Sequence, residues 1–123
     1  MPAFLPPAEA LLASCAADLE RDVLPALEGY ARFRTRVVIN VLRLLGRELR
    51  LAPGADAAEA QRLRALLGDT GEGADLPAMR AALAARIADG GAAPDDPALV
   101  DHLRRSLHEA LAIDHPGWTG PAD

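Results

Sequence analysis

A bundle of about five helices, all-α and without strands, is expected from this sequence on three grounds. Apolar residues recur at steps of three and four in each long segment. Glycine- and proline-bearing stretches separate those segments. Half of the residues are hydrophobic but only 3% are aromatic, so a core must be built from Leu, Ala and Val, as in packed helices. The 123 residues fit a single domain, 1–123, with an irregular tail at 115–123.

The first helix follows Leu5-Pro6-Pro7, proline being well tolerated in a first helical turn. Its apolar positions are Ala8, Leu11, Leu12, Cys15, Leu19 and Val23, which places Cys15 on the buried face. Pro25 ends or kinks it, and Gly29 lets the chain turn into the next helix.

That helix, residues 30–51, is the expected centre of the bundle. On a helical wheel Phe33, Val37, Val41, Leu44, Leu45, Val38, Leu49 and Leu42 span about half the circumference. An arc that wide suggests neighbours on two sides. Arg32, Arg36, Arg43, Arg47 and Arg50 form a stripe opposite it, within about 60° of one another, with Asn40 at its edge. Arg34 and Glu48 break the apolar arc near its two ends. A buried charge needs a partner, so each is expected to snorkel, to pair, or to face another chain.

Ala52-Pro53-Gly54 is expected to stop the central helix, and Asp56 with Glu59 three residues on has the form of a capping box. A third helix then buries Ala60, Leu63, Leu66 and Leu67. Gly68–Gly73 is a glycine-rich connector; no strand precedes it and no Gly-Lys-Ser/Thr ends it, so it is not a phosphate-binding loop. Asp75 caps a fourth helix that buries Leu76, Met79, Leu83 and Ile87, and Gly90-Gly91 closes it. Asp96-Pro97 starts a fifth helix carrying Leu99, Val100, Leu103, Leu107 and Leu111 to about Asp114.

The charges narrow the function. Net charge is −5, and the chain contains no lysine. Six arginines against Glu48 give residues 30–51 a charge of +5, which leaves −10 for the rest. A domain this acidic overall and this poor in aromatics is not a general nucleic-acid binder. The arginine stripe is either a solvated face or a docking surface for an acidic partner or a phosphorylated ligand, since the guanidinium fork binds carboxylate and phosphate alike. Arg36, Asn40, Arg43 and Arg47 interrupt the most apolar region, so no membrane span is expected there. With no basic-then-apolar leader at the start, the expected location is the cytoplasm.

No catalytic constellation emerges. His102, His108 and His115 are spaced six and seven apart, so no two have the i, i+4 spacing of a helical metal site. Thr35 and Ser106 lack a nucleophile context. Asp95-Asp96 is explained by a helix cap, and Asp101, Arg105 and Glu109 form i, i+4 pairs suited to an exposed face. No catalytic residue, cofactor or metal site is expected. Trp118 either packs back on the bundle or anchors a partner.

Three segments carry a family resemblance: Val23-Leu24-Pro25-Ala26-Leu27-Glu28-Gly29; Phe33-Arg34-Thr35-Arg36-Val37-Val38-Ile39-Asn40 through Arg47-Glu48-Leu49; and Leu111-Ala112-Ile113-Asp114-His115-Pro116 with Trp118 after it. Together they resemble a family of small bacterial helical proteins of unknown function, whose genes sit beside those of aminoglycoside-phosphotransferase-like kinases and acyl-CoA dehydrogenases. Ala88 stands where family members often carry a basic residue. The resemblance implies an accessory subunit that a hydroxyacyl-CoA kinase needs in catabolism of levulinate and related 4-hydroxy acids. It points to Arg36, Asn40, Arg47 and Glu48 as interface residues, which the wheel extends to Arg32, Arg43 and Arg50, with Trp118 from the tail. Two alternatives stand beside it. One is a helical acyl-CoA carrier with the arginine stripe on the phosphates. The other is a homo-oligomer with Arg34 and Glu48 paired across the interface.

Overall fold

The computed structural model describes residues 5–119. Among them are four α-helices and no strand: α1, Ala8–Asp18; α2, Gly29–Leu67; α3, Leu76–Ala88; and α4, Pro97–Asp114. The all-α expectation holds, but the count is four helices and not about five. The two helices expected at 30–51 and 56–67 are one helix of 39 residues that runs through Pro53.

Proline in a helix interior costs about 3 kcal/mol and the glycine after it about 1 kcal/mol, relative to alanine. Pro53 also has no N–H to give the Leu49 carbonyl. The flanks outweigh this. Leu51-Ala52 on one side and the alanines from 55 to 60 on the other are strong helix formers. The expected capping box therefore has no helix start to cap. Glu59 instead accepts from Arg80 on α3, Nε and Nη2 each donating at 2.7 Å.

The chain divides into two compact units, Met1–Ala52 and Pro53–Asp123, with the division at that proline. In the first unit α1 runs into a π-helical turn, Leu19–Val23, and a 3₁₀ turn, Leu24–Ala26. Gly29, with φ of +61°, starts α2 in a conformation open to glycine. The core is small: Ala16, Leu24 and Ile39 are buried, with Leu19 and Leu42 packed against them. Helices α1 and α2 approach closely at Gly46, where an added Cβ would lie 4.0 Å from Leu12 Cβ.

Two expectations change here. Cys15 is exposed, because the seam of α1 runs through Leu12, Ala16 and Leu19, one position round from it. The packed side of α2 is centred on Ile39, not on the wide apolar arc. The short, alanine-rich α1 covers only a narrow stripe of α2, so Phe33, Val38, Val41, Leu45 and Leu49 stay exposed.

In the second unit Leu63, Leu67, Met79, Leu83 and Leu99 form one buried cluster, with Ala60, Leu66, Ala74, Leu76, Ala82 and Ala92 packed against it. This matches the periodicity of those segments, except that Ile87, Leu103 and Leu107 are exposed. Asp75 caps α3 by accepting from Ala78 N–H at 2.9 Å, and Asp96 caps α4 by accepting from Ala98 N–H at 3.1 Å. The end of α2 is closed by a device with no local signature. Arg86 donates to the Leu66 carbonyl at 2.9 Å and to Thr70 Oγ1 at 3.2 Å. Gly71 is buried there, and an added Cβ would come within 3.2 Å of Leu67.

Candidate functional site

Each unit carries surface features suited to a partner. In the first unit the arginine stripe of α2 is partly engaged by its own neighbours. Arg32 donates through Nη1 to the Leu24 carbonyl at 3.0 Å, tying the 3₁₀ turn to the helix. Arg43 makes a two-point pair with Glu20, at 2.8 and 3.1 Å. The hydrogen bonds from Arg43 hold the Glu20 carboxyl below its usual range, and the charge of Arg36 adds to this. Arg47 is half-buried and also has a partner. Arg36, Asn40 and Arg50 are exposed. The stripe is thus a mixed face: part holds the α1 segment, part meets solvent.

The opposite side of α2 is apolar and open. Tyr30 and Phe33, at 75% and 60% exposure, lie with ring centroids 6.4 Å apart. Val38, Val41, Leu45 and Leu49 continue the exposed face, with Val37 and Leu44 half-buried along it. Arg34 and Glu48 sit within it, both exposed, and the side chain of neither makes a hydrogen bond or ion pair among the described residues.

In the second unit one polar stripe of α4, His102, Ser106 and Glu109, faces Arg62 of α2. His102 is 4% exposed. Its Nδ1 accepts from Arg62 Nε at 3.2 Å, while Arg62 Nη2 donates to Ser106 Oγ at 3.2 Å and pairs with Glu109 Oε1 at 2.7 Å. One arginine from α2 thereby gathers three residues spaced along one face of α4. Burial first, and then the Arg62 charge, push the His102 pKa below its ordinary value, against the pull of Glu59, Glu109 and Asp101. The geometry gives the same sign, since a proton on Nδ1 would face the Arg62 N–H. Arg105 pairs with Asp101 at 2.9 Å, as the i, i+4 spacing predicts, whereas Glu109 pairs with Arg62 in place of Arg105. Sequence reading missed this cluster because Arg62 lies at least 40 residues along the chain from the other members.

Beside the cluster lies an open pocket of about 490 Å³, lined by Ala58, Arg62, Arg104, Arg105, His108 and Glu109. Helix α4 also presents an apolar strip outward. Val100 and Leu111 are half-buried, Leu103 is exposed, and Leu107 is 64% exposed. Trp118 follows in a 3₁₀ turn, Pro116–Trp118, 73% exposed and stacked on His115 at 4.5 Å between centroids. It belongs to a surface and not to the core.

No group of three or more His, Cys, Asp or Glu side chains placed to hold a metal occurs among the described residues. No helix among them is long and apolar enough to cross a membrane. Searches of curated proteins and of solved structures find no match to this chain. A family model does match it, over residues 25–118, from the 3₁₀ turn before α2 through Trp118. The chain belongs to the family described as Domain of unknown function (DUF6285).

Proposed function

We propose that this protein is a non-catalytic subunit that binds and supports an aminoglycoside-phosphotransferase-like kinase acting on a hydroxyacyl-CoA. The single observation behind this reading is the outward apolar strip of α4. A helix that turns His102, Ser106 and Glu109 inward and Leu103 and Leu107 outward is built to be covered. Exposed Trp118 lies beyond its end, and tryptophan is prominent among the residues that anchor interfaces. The kinase enters from the family resemblance set out above. ATP, magnesium and phosphoryl transfer would then be the business of the partner's own residues.

The test is co-expression with a kinase gene of the kind the resemblance places beside it, capture on a tag carried by this chain, and kinase assays with and without it. Elution in a fixed ratio and a kinase that loses activity alone are expected. A kinase fully active without this chain sinks the reading.

A second reading draws on the 490 Å³ pocket, where Arg104 and His108 lie one helical turn apart next to Arg62 and Arg105. Such a lining suits the phosphates of an acyl-CoA. Calorimetric titration of the isolated protein with a CoA ester should then show saturable heat that Arg104→Glu abolishes; absence of heat removes this reading.

A further inference from the structure

The exposed apolar face of α2 has an internal symmetry. Its residues pair off about Val41: Phe33 with Leu49, Arg34 with Glu48, Val37 with Leu45, and Val38 with Leu44, each pair equidistant from Val41 along the chain. Every apolar residue is matched by an apolar one. The two charges, of opposite sign, are matched with each other. Arg34 and Glu48 stand about 21 Å apart at 1.5 Å per residue, too far to meet within one helix. Both are exposed with unpaired side chains.

A two-fold axis through Val41 satisfies the whole face at once. Two copies of α2, packed antiparallel, would set Val41 against itself, Phe33 against Leu49 of the other copy, and each Arg34 against the other copy's Glu48. We infer that this face is a homodimer interface, and that its occupant is a second copy of this chain. The charge arrangement selects that occupant. A face with one cation and one anion, equally placed about its centre, is complementary to itself in the antiparallel orientation and opposed to itself in the parallel one, where like charges would meet. Apolar burial supplies the attraction, and the two ion pairs fix orientation and register.

The inference concerns the first unit and stands apart from the proposed kinase partner, which uses α4. Its test therefore uses the purified chain alone, by sedimentation over a wide concentration range. The wild type should show twice the chain mass. Arg34→Glu and Glu48→Arg should each be monomeric, because each places like charges opposite one another twice. Mixing the two variants should restore the dimer mass as a one-to-one heterodimer, since one variant carries two anions on the face and the other two cations. Both positions are exposed, so far-UV circular dichroism of each variant should match the wild type. A second measurement does not depend on those charges. In a Cys15→Ser background, a bis-maleimide should cross-link Val41→Cys to itself, and should not cross-link Arg36→Cys on the opposite side. A monomeric wild type, single variants that stay dimeric, a mixture that stays monomeric, or cross-linking at Arg36→Cys and not at Val41→Cys would each overturn the inference.

Discussion

Among the described residues the first unit buries three, Ala16, Leu24 and Ile39, and leaves the broadest apolar face of α2 exposed. The second buries five large apolar side chains around Leu63 and adds a polar cluster in which Arg62 serves His102, Ser106 and Glu109. One helix supplies both units, yet its two parts are used differently. After Pro53 its apolar face meets α3 and α4. Before Pro53 the face turned inward is the narrow one centred on Ile39, beside the arginine stripe. The second unit buries the larger apolar cluster, whereas the first leaves a broad apolar face exposed among the described residues, the kind of surface that marks an interaction site.

The comparison can be broken most forcefully in the second core. Leu63 is fully buried, so Leu63→Ala should lower unfolding free energy by about 3 kcal/mol, within the usual range for a buried leucine. The corresponding change on the open face of α2, Val41→Ala, should shift stability only with protein concentration, through loss of the inferred dimer. Denaturant titration at two concentrations separates the two cases. An equal and concentration-independent loss would erase the distinction between the units.

Next comes the polar cluster. Arg62→Ala would leave the buried His102 ring and Glu109 without their shared donor, at a cost of roughly 2 kcal/mol. The His102 pKa is depressed by folding, so the unfolded chain takes up the proton first as the medium is acidified. Stability from neutral His102 is complete above the unfolded value, near 6.5, and declines as pH falls towards and through the folded value. Glu59, lowered by Arg80, adds a loss in the same direction at more acid pH. Melting temperature should therefore fall between pH 7 and pH 5 in the wild type, and less so in His102→Gln. A pH-independent melt in the wild type would contradict the buried, neutral histidine.

Pro53→Ala sharpens the boundary between the units. The chain is already helical there, so alanine restores the bond to Leu49 and removes the ring clash, with an expected gain of up to about 3 kcal/mol. A loss would place a helix end at residue 53, as the sequence had suggested. The smallest effect concerns Cys15. Being exposed, it should react with a thiol reagent in the folded protein without a change in melting temperature. Reaction only on unfolding would return it to the core.

Local signals were legible. Asp75 and Asp96 cap the helices that their positions announced, because a cap is settled within three residues. The core of the second unit was legible on α2 and α3, whose stripes through Leu63, Leu67, Met79 and Leu83 are the ones used, but of the stripe expected on α4 only Leu99 is buried. The role of Ile39 was not legible. Periodicity shows which side of a helix is apolar, not which side a neighbour reaches, and the neighbour here is a short alanine-rich helix. The passage of α2 through Pro53 was lost because a real local penalty is outweighed by flanking propensity spread over many residues. The Arg62–His102 cluster joins residues 40 apart, and no local pattern foretells it. Of the interface residues named from sequence, Arg32 and Arg43 have partners within the first unit, Glu48 and Trp118 stand exposed, and the α4 strip was first read as core.

The most direct test of the account is the affinity of the proposed partner, a phosphotransferase-like kinase, for this chain before and after Leu107→Asp. Leu107 is exposed, so the variant should keep its melting temperature, and the account predicts that it loses the kinase. A kinase that binds the variant as tightly as the wild type would contradict the assignment of the α4 strip as the partner surface.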